Sequence, residues 1–476
     1  MLTPDYLYEE ALRHFPFEPQ GGQDELLWRL SEFVTGHGER DVFLARGYAG
    51  TGKTSVMAAL TAALARTRLK TVLLAPTGRA AKVMSVYAAR PASTIHKRLY
   101  RGDSIDPYSN GYFLAPNRDK DTVFIVDEAS MIAGRSTRLL EHLVTHVYSS
   151  PGCVLIMGGD MAQLPPVGES LSLAMSPVAM EALGLRPAVF DLEHPLRQAS
   201  RSGILYNATR LRRRMLKEPL PEARLWPGRF PDVQVTTSEF LAEQIADSYA
   251  EAGQDSTLVV TRANWRAAAF NRAIRSSVLY AEERLQRGER LVVAKNNYFW
   301  TAKMPGSPFI ANGEGAIVQR ILGYETRYGH DWADVELLMP DSDLEVECKL
   351  LLTCLDNEAP ALPQDQYALL YQAVMQDVRK RRLGASDELK AIRTDPYLNA
   401  IQAKYGYCLT CHKAQGGQWD HVYIDLAGIQ PDAWHDLDFH RWLYTAVTRA
   451  VKRLWLVNPS IPLNKDPLPG VEPSVE

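Results

Sequence analysis

A glycine-rich loop set between an apolar run and a helix constrains this chain more than any other feature. Residues 47–54 read Gly-Tyr-Ala-Gly-Thr-Gly-Lys-Thr. They follow the apolar run Asp41–Ala45 and open the stretch Ser55–Ala65, which has helical character. A buried strand that hands its chain to a helix through such a loop predicts a parallel sheet covered on both faces. Backbone N–H groups of the loop surround phosphates, and the helix N-terminus adds its positive end. Gly47, Gly50, Thr51, Gly52, Lys53, Thr54 and Ser55 are therefore candidate ATP-binding residues. Lys53 is expected to reach the β- and γ-phosphates and Thr54 to ligate Mg²⁺.

A second apolar run, Val123–Val126, ends in Asp127 and Glu128. Two carboxylates at the end of a buried strand suit a magnesium shell (Asp127) and a general base for water (Glu128). A base for water argues against a small-molecule kinase, which must exclude hydrolysis.

Further strands are expected at Thr71–Ala75 and Val154–Met157, and a helix at Gln23–Val34 from Leu26, Leu27, Leu30 and Phe33. A second strand–helix series starts at Leu258–Val260 and resumes at Val422–Asp425 and Leu454–Val457. Between them, roughly 288–400 is first strand-like and turn-rich, then helical from Gln364 to Arg382. That helix ends in the basic run Arg379–Arg382, which reads as a solvated helix end or a binding patch. The fold class is α/β, with two phosphate-loop domains and small β-rich insertions. We parse 1–190 as the first domain, 191–287 with 401–476 as the second, and 288–400 as an insertion. Within the first, 97–120 is turn-rich. Its arms around Asn110-Gly111 form either a hairpin, which that dipeptide favours, or a surface loop.

A length of 476 residues allows two to four domains. At 46% apolar and 23% charged, the chain is of neither the disordered nor the collagenous class. No apolar run approaches the roughly 18 residues of a membrane span. The acidic N-terminus lacks a signal-peptide core, so a cytoplasmic location is expected. Five cysteines are too few and too odd for a disulfide framework, and Cys408–Cys411 is a single CxxC without a second pair for zinc. The net charge of −3 neither suggests nor excludes nucleic acid.

Gly159-Asp160-Met-Ala-Gln163-Leu-Pro-Pro-Val-Gly168 resembles motif III of superfamily 1 helicases. The stretches 75–82 (Ala-Pro-Thr-Gly-Arg-Ala-Ala-Lys), 93–97 (Ser-Thr-Ile-His-Lys) and 196–198 (Leu-Arg-Gln) resemble motifs Ia, Ib and IV. Those at 410–416 (Thr-Cys-His-Lys-Ala-Gln-Gly) and 444–450 (Tyr-Thr-Ala-Val-Thr-Arg-Ala) resemble motifs V and VI. They stand in family order from 47 to 450, and the Thr-Ile-His and His-Lys-x-Gln-Gly forms resemble the RecD-like and Dda-like branch. The resemblance implies an ATP-dependent DNA helicase running 5′ to 3′ on single-stranded DNA and at single-strand/duplex junctions, working as a monomer in DNA repair or recombination. It implies that Gln163 senses the γ-phosphate and that Arg197 and Arg449 are arginine fingers from the second domain. Taken alone, either arginine reads as an ordinary salt-bridge residue. Gln23, after Phe17 and Pro19, resembles the glutamine that reads adenine. The family's acidic residue after Gln-Gly is replaced here by Gln418, which can still hydrogen-bond a ribose hydroxyl.

The same resemblance places nucleic-acid contacts at Thr77, Thr94, His96, Asn264, Thr410 and His412. Short hydroxyl and imidazole groups suit phosphate contacts that are made and broken. Asn264 equally fits a helix cap. Tyr298, Phe299 and Trp300 are either a stacking platform or a buried cluster. The resemblance further implies an SH3-like insertion within 288–400 and a strand-separating hairpin within 97–120. An RNA-directed motor and a nucleotide-dependent switch are the rival classes. Glu128 and the two predicted fingers argue against the switch. No nuclease constellation is visible.

Overall fold

The computed structural model describes residues 2–464 apart from 103–111, 136, 194–201, 228–229, 303 and 305–309. The chain opens with strands β1 (Asp41–Gly47), β2 (Lys70–Ala75) and β3 (Ala92–Thr94). A small ribbon, β4 (Tyr100–Gly102) and β5 (Tyr112–Leu114), precedes β6 (Thr122–Val126), β7 (Val154–Gly159) and β8 (Arg186–Leu192). Apart from the ribbon these make one sheet in the order β3-β2-β6-β7-β1-β8, with every pairing parallel.

The period of two along each strand feeds two cores. Phe43 and Ala45 of β1 join helices Pro4–Arg13, Gln23–Gly36 and Lys53–Leu64 on one face. Val42 and Leu44 join the helix Leu139–Tyr148 on the other. Continuous apolar runs are needed because both faces are covered.

A second sheet begins with β9 (Val233–Thr236) and β10 (Thr257–Thr261). The chain then leaves for a third: β11 (Arg290–Val293), β12 (Gly315–Arg327), β13 (His330–Met339), β14 (Leu344–Leu351) and β15 (Ala403–Tyr405). It returns for β16 (Cys408–Thr410), β17 (Trp419–Asp425) and β18 (Ala450–Val457). The second sheet, β16-β10-β17-β18-β9, is parallel throughout. The third, β14-β13-β12-β11-β15, is antiparallel.

One core of the second sheet takes in Ala162 and Leu164 from the first half, so the halves share apolar contact. Its other core is shared with the third sheet, where Val318, Val335 and Leu350 meet Val259, Tyr423 and Trp455. The helices Gln364–Lys380 and Ala385–Arg393 cover Trp332 and Leu351 at the far end of that sheet through Leu370, Val374, Val378 and Ile392. Two cations of the basic run are tied within this helical pair. Arg379 meets Glu388 at 3.1 Å and Lys380 meets Asp377 at 3.2 Å.

Two readings left open by the sequence concern local structure. The ribbon's arms do pair, but Tyr112 lies opposite Gly102, with positions 103 to 111 between them. Asn110-Gly111 lies outside the described residues. In the aromatic stretch, Phe299 meets Trp300 edge-on at 5.0 Å, and the Trp300 indole donates to Asn399 O at 2.7 Å while packing on the shared core. Both rings are half-buried. Among the described residues, no helix is long and apolar enough to cross a membrane. The five cysteines are buried and unpaired, and the described residues form no cluster of metal-ligating side chains.

Candidate active site

The phosphate loop leaves β1 at Gly47 and enters the helix Lys53–Leu64. Gly50 and Gly52 hold φ of 76° and 81°, in the left-handed region that favours glycine. The Lys53 ammonium lies inside the loop, donating to Gly47 O at 2.5 Å and Tyr48 O at 3.3 Å. Gln23 lies beneath. Fully buried, it donates to Thr51 O at 2.8 Å and accepts from Gln20 N–H at 3.0 Å. One end of its amide thus holds the loop and the other the turn that leads into its own helix.

Strand β6 delivers the carboxylates. Thr54 Oγ1 donates to Asp127 Oδ2 at 3.1 Å, and Asp127 Oδ1 accepts from the Glu128 N–H at 2.8 Å. Glu128 sits at φ 52°, a left-handed conformation uncommon outside glycine and concentrated at functional sites. Burial raises the Glu128 carboxyl above its ordinary pKa and the Asp127 charge adds to this, while Arg449 and Lys53 draw it back.

Gly50, Gly52, Lys53, Thr54, Ser55, Asp127, Glu128 and Gln163 line one cleft of about 230 Å³, closed from the other half by Gly416, Gln418, Thr448 and Arg449. Gln163 is buried there, and its Oε1 has no hydrogen-bond partner among the described residues. Arg449 is 3% exposed and held in three directions. Nε donates to Thr445 O at 2.9 Å, Nη1 to Gly417 O at 2.9 Å and Nη2 to Thr448 Oγ1 at 3.1 Å. The exposed Gln418 stands on the rim. Arg197 lies outside the described residues.

The predicted nucleic-acid residues fall at strand ends on both parallel sheets. Thr77 caps the helix Gly78–Ala88, and a Cβ at Gly416 would come within 3.0 Å of its hydroxyl oxygen. Thr94 ends β3 and caps the next helix, accepting from Lys97 N–H at 3.1 Å. Thr410 ends β16, but its side chain makes no capping bond. His96 is kept neutral by burial, which lowers its pKa. His412 is exposed. Asn264 is exposed on the first turn of the helix Asn264–Ser277, whose cap is Ala263, so it is not the cap. Asn264 and Thr410 line a small second cleft with Asn357, Lys404 and Lys413.

A repeated pattern and four buried residues went unread in the sequence. Residues 94–97 and 410–413 both read Thr-x-His-Lys, and each follows a three-residue edge strand. The two threonines share a backbone conformation, φ −71° and ψ 150° against −70° and 150°. The repeat was readable in the sequence as a four-letter coincidence; its meaning needed the sheet order. Asp160, Gln415, Tyr444 and Thr445 stand within the helicase-like motifs with no individual role expected of them. All four are buried and bond across the two halves.

Residues 31–216 match the family model of an AAA domain and 405–457 that of a UvrD-like helicase C-terminal domain. The chain is 24% identical over 482 residues to the ATP-dependent DNA helicase PIF7 of Trypanosoma brucei brucei, covering 90% of this chain and 45% of that one. It is 24% identical over 435 residues to the ATP-dependent RecD2 DNA helicase of Deinococcus radiodurans, covering 88% and 47%. It thus spans a little under half the length of these relatives. Among solved structures, a Pif1 helicase from Bacteroides in complex with ADP-AlF3 and ssDNA aligns at 15% identity over 92% of both chains, with a TM-score of 0.48.

Proposed function

We propose that this chain, a member of the superfamily 1 helicases in their Pif1-like and RecD-like branch, hydrolyses ATP to travel 5′ to 3′ along single-stranded DNA and to open duplex ahead of it. The observation that carries the reading is the shared cleft, where the phosphate loop, both carboxylates and Gln163 face Arg449 of the other half. A site assembled from two bodies couples its occupancy to their approach.

The residues fit ATP with magnesium. A hydroxyl and a carboxylate 3.1 Å apart are hard oxygen donors, so Thr54 and Asp127 would hold Mg²⁺. When bound, that ion offsets charge on the phosphates. Lys53 and the loop amides bind and orient the triphosphate. Glu128 takes a proton from the attacking water. Gln163 senses the γ-phosphate, and Arg449 stabilises charge developing on the transferred group, with Arg197 as the second finger. Gln23, whose Nε2 also braces the loop at Thr51 O, reads the adenine, and Gln418 hydrogen-bonds a ribose hydroxyl. Thr77, Thr94 and His96 form one half of the DNA track, and Asn264, Thr410 and His412 the other. The units are 1–190, 191–287 with 401–476, and 288–400 as an SH3-like insertion, with two edges set by the sheets: β8 carries the first unit to Leu192, and β15 (Ala403–Tyr405) pairs with β11 in the third.

The test is steady-state ATP turnover with single-stranded DNA, with RNA of the same length, and with neither, using Glu128→Gln as control. DNA stimulation that the variant loses is the expected result. Stimulation by RNA alone would move the substrate, and none at all would reduce the protein to a nucleotide switch.

A further inference from the structure

The crest of the phosphate loop is gripped from the other half of the molecule. The Arg212 guanidinium lies 3.9 Å above the Tyr48 ring. A Cβ at Gly50 would come within 2.8 Å of Leu205. Between them, the Ala49 N–H donates to the Tyr444 hydroxyl at 2.9 Å, and that hydroxyl donates onward to Asp160 Oδ2 at 2.7 Å. Tyr444 is 1% exposed, and burial holds its pKa far above the ordinary phenol value. It is therefore a neutral O–H under all working conditions, with a fixed direction of donation.

Asp160 is the hinge of the turn that carries Gln163. Its Oδ1 accepts from Ala162 N–H at 2.9 Å, and its carbonyl accepts from Gln163 N–H at 3.3 Å. The next residue is held by the second half as well. Leu164 N–H donates to Thr445 Oγ1 at 2.9 Å, and Leu164 O accepts from Gln415 Nε2 at 2.7 Å. The Gln163 turn belongs to the first half by sequence but is bonded to three side chains of the second.

We propose that Tyr444 is a positioning residue for hydrolysis: its hydroxyl ties the Ala49 amide of the phosphate loop to the Asp160–Gln163 turn, fixing Gln163 against the loop only while the two halves are seated. The inference rests on the proposed ATP-driven motor, and it assigns to motif VI a task distinct from that of Arg449. Removing the hydroxyl leaves the apolar contacts of the ring in place but separates loop from turn. The loss then falls on the chemical step rather than on ATP capture. A buried hydrogen-bonded pair within one network also gives non-additive losses.

The experiment is a double-mutant cycle on the full chain with Tyr444→Phe and Asp160→Asn, reading kcat and the KM for ATP with and without single-stranded DNA, and the melting temperature. Tyr444→Phe should lower kcat about tenfold or more while KM stays within about threefold. Asp160→Asn should lower kcat comparably, and the double variant should be no worse than the poorer single one. Wild-type kcat in Tyr444→Phe, losses that multiply, or a raised KM with kcat kept would each overturn the proposal. So would a kcat loss accounted for by unfolding in the melting data. The wild-type control separates the two readings. If DNA does not stimulate it, the motor assignment fails, and the cycle on unstimulated turnover still decides the role of Tyr444.

Discussion

The Arg79 guanidinium lies 3.8 Å from the centre of the Trp419 ring, joining the helix behind β2 to the first residue of β17. Its Nη2 also donates to Gln418 O at 3.4 Å, and a Cβ at Gly417 would come within 2.8 Å of its side chain. Burial lowers the arginine to about 10, opposed by Asp341 in the β13–β14 turn of the third sheet, so it is a cation at neutral pH. A single side chain thus touches both halves and feels the charge of the third sheet. Arg79→Ala should cost about 0.5–2 kcal/mol of stability, read as a lower urea midpoint. Arg79→Lys should recover little of it, because an ammonium does not stack as a plane. A midpoint equal to wild type in Arg79→Ala would show the contact to be energetically idle.

Lys53→Ala should lower turnover by about a thousandfold, since it removes a cation aimed at the phosphates and leaves the loop glycines in place. A malachite-green phosphate assay at saturating ATP reads it directly. Turnover within tenfold of wild type would remove Lys53 from the site.

The carboxyl of Glu128 is raised by burial and by Asp127. A general base works deprotonated, so activity should rise with pH through this raised pKa. The acid limb should sit above the range of an ordinary carboxylate, about 4.3. An acid limb in the ordinary range for wild-type kcat would leave Glu128 without the role of base.

The two Thr-x-His-Lys stretches should respond unequally. Thr94 caps a helix through its side chain and Thr410 does not. Thr94→Ala should therefore cost about 1 kcal/mol of stability and also weaken single-stranded DNA binding. Thr410→Ala should weaken binding with little change in melting temperature. Fluorescence anisotropy and thermal melting together check this. Equal melting shifts, or unchanged affinity in both variants, would break the proposed track.

Most of the candidate ATP site was legible because its chemistry is local. The phosphate loop, Asp127 and Glu128 each follow an unbroken apolar run, and a strand covered on both faces leaves such a run in the sequence. Strands β3, β15 and β16 hold three residues each and carry no period to read. Gln23 was legible as a glutamine opening a helix, whereas its grip on Thr51 O is a contact between positions 28 apart. Tyr444 lies 284 positions from Asp160, and nothing in either motif alone points to the bond. Within 288–400 the alternation gave strands without their pairing. The β12–β13 ladder shifts register between Val318 and Arg320 and between Ile321 and Gly323, which no pattern of two anticipates.

Between β15 of the third sheet and β16 of the second stand only Gly406 and Tyr407. Gly406 N–H donates to Arg290 O at 2.8 Å, and the Tyr407 hydroxyl donates to Glu289 at 2.9 Å. Three residues later the chain ends β16 at Thr410, while β10, paired to it, runs into Asn264. The third sheet is therefore not a bead on a tether. It is welded to the strand that carries half of the candidate track, so a tilt of one turns the other with no slack to absorb it.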